Sequence, residues 1–172
     1  MCLPHIDSPS IFGALLDDKK GGRFSVSPVD DWDSTAEYIP GTNILQTKLR
    51  TRTGVMQITD FMPVSASGRE EFEEEGPELN RLMEIRKGEV NVRVTFDPRF
   101  DYARGDTRLK KHDKGIIAEG NNEYLTLSCS REINIPDDIR MDDWTLSEGD
   151  RVWLQLRYGN SAPVNLDSEK AE

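Results

Sequence analysis

The stretch ELNRLMEIRKGEVNVRVTFD, residues 78–97, alternates apolar and polar side chains on both sides of a glycine. Alternation with a period of two is typical of a β-strand that is buried on one face. Lys87-Gly88-Glu89 lies at the centre, and a glycine between two alternating runs favours a hairpin turn. The sequence therefore predicts two antiparallel strands here, Glu78–Arg86 and Val90–Phe96.

The same pattern continues along most of the chain. Alternating runs between turn residues predict further strands at Arg23–Pro28, Asn43–Thr51, Val55–Phe61, Arg108–Asp113, Ile116–Glu119, Glu123–Cys129, Arg131–Ile135, Ile139–Leu146 and Arg151–Tyr158. The exception is Asp7–Leu16, where a capping Ser8, Pro9 and apolar pairs at i, i+4 spacing predict one short helix. The predicted fold is all-β: an antiparallel two-sheet β-sandwich with one short N-terminal helix.

Length, charge and cysteine usage restrict the class of protein. A chain of 172 residues is long enough for one domain with a real core. Its net charge of −10 argues against nucleic acids and anionic membrane surfaces as partners. Cys2 and Cys129 are too few for a disulfide framework, and no segment approaches the ~20 apolar residues of a membrane span. These features predict a cytoplasmic protein with reduced thiols.

Catalytic and metal-binding motifs are missing from the sequence. It contains no Gly-rich phosphate loop, no Gly-x-Ser-x-Gly, no His-Glu-x-x-His and no Cys-x-x-Cys. Asp30-Asp31-Trp32-Asp33 resembles the start of a calcium loop, but Thr35 and Gly41 stand where that loop needs glycine and glutamate. His5 and His112 are the only histidines, so a zinc site would need both cysteines or carboxylates as well. We predict no catalytic residue, no metal and no cofactor.

One segment has a biased composition. SASGREEFEEEGPE, residues 65–78, is acidic, carries glycine and proline, and has no apolar period. Runs of glutamate without an apolar face are usually solvated. We therefore predict a mobile acidic surface loop over residues 65–78, rather than a metal site.

Five stretches match a known pattern in order and spacing. They are CLPHIDSPSIFGALLDDKKGGRF (2–24), EYIPGTNILQT (37–47), TGVMQITDFMP (53–63), PELNRLMEIRKGEVNVRVTFDPRFDYARG (77–105) and WLQLRYG (153–159). Together they resemble the N-terminal, trehalase-like β-sandwich domain of bacterial and archaeal glycoside hydrolase family 15 proteins, the glucoamylases and trehalases. The resemblance covers nearly the whole chain.

The resemblance implies a domain organisation. In that family the sandwich precedes an (α/α)6 barrel, whose two glutamates act as general acid and general base in inverting hydrolysis. Residues 1–164 would be the sandwich domain, and residues 165–172 the start of the linker to a barrel that this chain does not contain. Family members also have a further pair of strands before the segment that matches Met1–Pro4. The resemblance thus implies missing first strands and an exposed sheet edge, through which the chain would self-associate.

The function implied by the resemblance is that of a non-catalytic domain. It would stabilise the barrel, in cis or in trans, and shape the active-site entrance, and it would be inactive alone. The alternative is a stand-alone module that binds α-glucan, trehalose or another glucose-containing saccharide. A weaker third hypothesis, a sugar-modifying enzyme of mutarotase type, would need His5 or His112 beside a carboxylate in a cleft.

Candidate residues follow from these hypotheses. Candidates for the barrel interface or the active-site entrance are Asp7, Ser8, Phe12, Arg23, Asp60, Arg99, Phe100, Asp101 and Tyr102. Candidates for stacking on sugar rings are Trp32, Trp144 and Trp153, with core or interface packing as the alternative.

Several interface candidates also have a structural interpretation. Asp7 and Ser8 would cap the predicted helix, and Asp60 would bond nearby amides or pair with an arginine such as Arg99. Pro98 must end its strand or lie at a sheet edge, because it has no N–H. Beyond it, Asp97 and Asp101 would brace Arg99 and Arg104 at the end of the sheet.

Overall fold

The chain folds into antiparallel β-strands. The computed structural model describes residues 1–63, 76–159 and 162–166. Within these residues the strands are β1 Arg23–Pro28, β2 Asp33–Tyr38, β3 Leu45–Arg50, β4 Gly54–Phe61, β5 Glu78–Asp97, β6 Arg108–His112, β7 Gly115–Gly120, β8 Glu123–Cys129, β9 Met141–Ser147 and β10 Arg151–Tyr158. The pairings between them are antiparallel, and the strand order does not close into a barrel. The predicted all-β fold is confirmed.

The long strand β5 belongs to two groups of strands. Its first half pairs with β4 on one side and β10 on the other, within the order β2-β3-β4-β5-β10-β8-β7-β6. Its second half pairs with β1 and β9. We call the eight-strand group the large layer and the group β1-β5-β9 the small layer.

The predicted hairpin at Lys87-Gly88-Glu89 is wrong. The chain continues through Gly88 as one strand, because both halves find partners elsewhere and not in each other. Gly88 has φ +68°, which changes the direction of the strand without reversing it. A Cβ at this position would lie 2.2 Å from the carbonyl oxygen of Thr53, so the bend packs directly against the turn between β3 and β4.

The two layers share one apolar core. Alternate residues of most strands point inward, as in Met83 opposite Val152 and Val92 opposite Trp144. Buried side chains of the large layer include Leu49, Met56, Ile58, Met83, Leu127 and Leu154, and those of the small layer include Val26, Val90, Val92, Val94, Phe96 and Leu146. In the strands that bury one face, such as β4 and β10, this burial explains the period of two in the sequence.

The prediction of strands was wrong at two further places. β2 has no counterpart among the predicted strands, because all six of its residues are exposed and an edge strand without a buried face has no alternation. The predicted strand Arg131–Ile135 does not form. Ile133 and Ile135 are buried, but they reach the core from a loop, which produces the same alternation without strand pairing.

The predicted N-terminal helix, Asp7–Leu16, is also wrong. The segment forms turns and one isolated bridge between Cys2 and Ser10. Its backbone groups bond to other segments: Ile11 N–H donates to the carbonyl of Met1, and the carbonyl of Ile11 accepts from Arg99 N–H. Ser8 caps no helix, since its hydroxyl oxygen accepts a bond from His5 N–H at 3.1 Å.

Parts of two further predictions lie outside the described residues. Of the predicted acidic loop, residues 65–78, the structure describes only Gly76, Pro77 and Glu78, and Glu78 is already the first residue of β5. Of the predicted linker, residues 165–172, it describes only Asn165 and Leu166. Both stay predictions.

Candidate interaction site

The N-terminal segment, residues 1–22, packs against the end of β5. Tyr102 N–H donates to the carbonyl of Ser10 at 3.0 Å, next to the bond between Arg99 and Ile11 at 2.9 Å. Ile11 is fully buried, and the ring of Phe12 lies 6.3 Å from the ring of Phe96. These contacts anchor the segment, so the loops that project from it have a defined position.

One of these loops, residues 13–22, is closed by its own hydrogen bonds. Gly13 N–H donates to Gly21 at 2.6 Å, and the carbonyl of Gly13 accepts from Leu16 and Asp17. The Asp17 carboxylate accepts bonds from the N–H groups of Lys20 and Lys19, which lower the pKa of Asp17. A Cβ at Gly21 would lie 2.3 Å from the carbonyl oxygen of Gly13, so the two ends of the loop are in direct contact.

Large apolar side chains project from these loops into solvent. Leu15 is 99% exposed and Leu16 is 87% exposed at the tip of the closed loop. Ile6, in the same N-terminal segment, is 96% exposed, and Tyr102 beside Ser10 is 56% exposed. We call these four side chains the loop surface. Apolar residues that an ordered loop holds in water are typical of a contact site for another protein surface.

The turn that follows β5 has an unusual backbone. Phe100–Ala103 forms one helical turn in which Asp101, Tyr102 and Ala103 have φ between +52° and +61°. This left-handed conformation costs free energy for residues other than glycine. In this turn Phe100 is buried and Tyr102 is exposed. Backbone hydrogen bonds to the N-terminal segment hold the turn in place.

Ion pairs brace the same end of the sheet. Asp97 Oδ1 lies 2.7 Å from Arg99 Nε, and Asp101 Oδ1 accepts from Arg104 Nη2 at 2.5 Å, so both predicted pairs form. Arg140 adds a bond that the sequence analysis did not predict, from Nη1 to Asp97 at 2.8 Å. Its Nη2 also donates to the carbonyl of Thr107 at 2.6 Å. Arg140 lies far along the sequence, and no local pattern points to this contact.

Three other interface candidates occupy different positions. Asp7 is exposed, and Arg23 donates from Nη2 to the carbonyl of Asp18 at 2.8 Å. Asp60 does not pair with Arg99. It lies opposite Arg81 across β4 and β5 and accepts two bonds from that guanidinium, at 2.7 and 3.1 Å. The interface roles of all these candidates stay predictions.

The structure does not bring the three tryptophans together into one stacking surface. Trp144 is 8% exposed, and its indole N–H donates to Asp142 at 2.9 Å. Trp153 packs edge-to-face on Phe61, with ring centroids 6.2 Å apart. Trp32 is 45% exposed and borders a groove of about 330 Å³ between β1 and the inner face of the large layer.

Comparison with known proteins places the chain in a family. The family model described as "Trehalase-like, N-terminal" matches residues 1–171. The chain belongs to the trehalase-like N-terminal family. A trehalase from Thermoplasma acidophilum is 30% identical over 161 residues, which are 92% of this chain and 27% of that protein. A trehalase from Mycobacterium tuberculosis is 26% identical over 192 residues, which cover 100% of this chain and 28% of that protein. The trehalase-like N-terminal chain thus spans about a quarter of the length of these curated relatives.

Two titratable groups of this trehalase-like N-terminal domain have raised pKa values, and the described residues form no metal-ligand cluster. No three His, Cys, Asp or Glu side chains in residues 1–63, 76–159 and 162–166 lie together as metal ligands. Burial raises the pKa of the Cys129 thiol to about 11. Burial and a hydrogen bond to Glu123 raise the pKa of Tyr158 to about 12. Both groups are therefore protonated at neutral pH.

Within the part of the chain that the structure describes, no helix is long and apolar enough to cross a bilayer.

Proposed function

We propose that this trehalase-like N-terminal domain is the non-catalytic part of a glycoside hydrolase of the family 15 type, trehalase- or glucoamylase-like. In this proposal it docks on an (α/α)6 catalytic barrel, stabilises it and shapes the entrance to its active site. The lengths of the relatives support this, because the curated trehalases continue well beyond the part that this chain matches. The free cysteines Cys2 and Cys129 support a cytoplasmic location.

The exposure of Leu15 and Leu16 is the observation that carries the proposal. Burying one leucine side chain stabilises a contact by about 2 kcal/mol, and the isolated domain leaves both in water. The closed loop fixes their positions before docking, so little conformational entropy remains to be lost on binding. Tyr102 and Ile6 add apolar area from neighbouring segments.

We expect the double variant Leu15→Ser/Leu16→Ser to weaken the domain–barrel contact and leave the domain itself intact. The test is a chimera in which this domain replaces the aligned 161 residues of the Thermoplasma acidophilum trehalase. The temperature at which the chimera loses trehalose hydrolysis should be lower by about 5 °C in the variant. The melting temperature of the isolated domain should not change, because both leucines are already exposed there.

The control for this experiment is Tyr38→Ser, which removes an exposed aromatic side chain from the edge strand β2. It should change neither the inactivation temperature of the chimera nor the melting temperature of the isolated domain. Equal shifts in the chimera and the isolated domain would show that the leucines stabilise the domain and contact no barrel. No shift in either protein would remove the loop surface from the interface.

The non-catalytic role has a separate test. The purified 172-residue chain should hydrolyse neither trehalose nor maltose above a buffer blank. Hydrolysis by the chain alone, abolished by a single carboxylate substitution, would contradict this part of the proposal. The stand-alone saccharide-binding module stays the alternative function, and it would be favoured by an inactive chain that has no effect on a barrel.

A further inference from the structure

The strand β1 has one open edge. Among the strands that the structure describes, β1 pairs with β5 alone. Val29 N–H donates to Asn91 at 2.8 Å, and backbone groups alternate in direction along an antiparallel strand. Phe24 and Val26 therefore direct their N–H and C=O groups away from β5. Phe96, opposite Phe24, agrees with this, because its N–H donates to Arg140 on the other side of β5.

The groove of about 330 Å³ runs along this open edge. Four consecutive residues of β1, 24–27, line it, whereas a single face of a strand would contribute only alternate residues. The backbone donors and acceptors of Phe24 and Val26 therefore face the groove. The opposite wall is formed by residues of β2, β3 and β4, namely Ser34, Thr47, Leu49 and Ile58.

The side chains around the groove are chemically mixed. Residues with hydroxyl side chains line both walls: Ser25, Ser27, Ser34 and Thr47. Trp32 is 45% exposed and presents an aromatic ring, while Leu49 and Ile58 form an apolar floor. Hydroxyls, backbone groups and one accessible aromatic ring suit a ligand that carries many hydroxyls and an apolar ring face.

The two ionised side chains that line the groove form a half-buried ion pair, so the lining carries no net charge. Asp60 and Arg81 also line the groove and neutralise each other through two hydrogen bonds. Arg81 lies 4.7 Å above the ring of Phe24, which holds its guanidinium in place. The pair uses Nε and Nη2 of Arg81, and Nη1 carries two further N–H donors. The polar groups of the groove are thus neutral in sum and rich in both donors and acceptors.

We infer that this groove binds a neutral saccharide of one or two sugar rings, with one ring stacked on Trp32 and its hydroxyls bonded to the β1 edge, Thr47 and the Asp60–Arg81 pair. A volume of about 330 Å³ lies at the lower end of ligand pockets, which matches a ligand of this size. The groove is distinct from the loop surface, so the inference does not depend on docking to a barrel.

The experiment uses the purified chain with trehalose and maltose as probes, measured by isothermal titration calorimetry. A shallow, open groove predicts a Kd in the millimolar range, with a saturable heat at about 10 mM sugar. Trp32→Ala should weaken binding at least tenfold. Thr47→Val, which removes one hydroxyl at nearly constant volume, should weaken it about threefold. Trp153→Phe changes a tryptophan away from the groove and should leave the affinity unchanged.

Three results would overturn the inference. The first is that neither sugar gives a saturable heat. The second is that Trp32→Ala and Thr47→Val leave the affinity unchanged, and the third is that Trp153→Phe loses as much affinity as Trp32→Ala. The other occupant that such an edge accepts is a β-strand, for example in self-association. Sedimentation of the chain as a dimer that dissociates on Val26→Pro, with no saccharide binding by the resulting monomer, would assign the groove to a strand. Circular dichroism melts confirm that each variant is folded.

Discussion

Gly88→Ala is expected to lower the free energy of unfolding by about 3 kcal/mol. Gly88 lies at the bend of β5, where the strand leaves the large layer and enters the small one. Its φ of +68° is unfavourable for alanine, and the new Cβ would lie 2.2 Å from the carbonyl oxygen of Thr53. Either the bend or the turn between β3 and β4 must move, and both are held by strand pairing. Urea unfolding followed by circular dichroism measures the loss.

Gly41→Ala is the matched control for this prediction. Gly41 has a similar φ of +76°, but a Cβ added there would meet no atom within 4 Å, so only the backbone conformation is penalised. That penalty is about 1 kcal/mol. The difference between the two variants therefore reports the close contact at the bend. Equal losses would show that the junction of the two layers tolerates a larger residue, against our account of β5.

Arg140→Met should lower the free energy of unfolding by about 3 kcal/mol. The side chain of Arg140 is 14% exposed, and it donates to Asp97 and to the carbonyls of Thr107 and Asp137. Methionine keeps much of the volume but leaves these half-buried acceptors without the guanidinium. The loss should appear in the same urea experiment, together with faster proteolysis of the segment after β5.

The control is Arg93→Met, which breaks an ion pair of similar geometry at the surface. Arg93 donates twice to Asp143, and both side chains are largely exposed. The hydrogen bond to Asp143 raises the pKa of Arg93 and lowers that of Asp143, yet solvent screens the interaction. We expect no resolvable change in stability. A loss equal to that of Arg140→Met would mean that burial does not distinguish the two pairs.

Local patterns predicted many strands well. The bounds of β1, β8 and β10 match those expected from the sequence, where turn residues flank each run. In β10 the burial alternates with the predicted period, whereas β8 buries both faces over its last five residues. Alternation gave wrong assignments where strand pairing occurs without a buried face, or alternating burial occurs without strand pairing. β2 has no buried face and was missed, whereas Ile133 and Ile135 alternate in burial without belonging to a strand.

The candidate site was predicted in part. The end of β5 was identified from Asp97, Arg99 and Tyr102, since charged and aromatic residues follow a strand that Pro98 must end. Leu15 and Leu16 lie in the segment that was predicted as a helix, and the structure exposes both as part of the loop surface. Their sequence spacing fits a helix, but the backbone of this segment bonds to Met1, Arg99 and Tyr102 instead.

The sequence alone determined the all-β class, most strand positions and, through five ordered segments, the family to which the chain belongs. These are properties of burial along each strand, which alternation records directly. Only the tertiary structure decided that β5 is one strand in two layers, that Arg140 completes the brace and that β1 opens onto a groove. Each of these depends on the choice of a partner far along the chain, and a period of two specifies which face is buried but not which strand lies beside it.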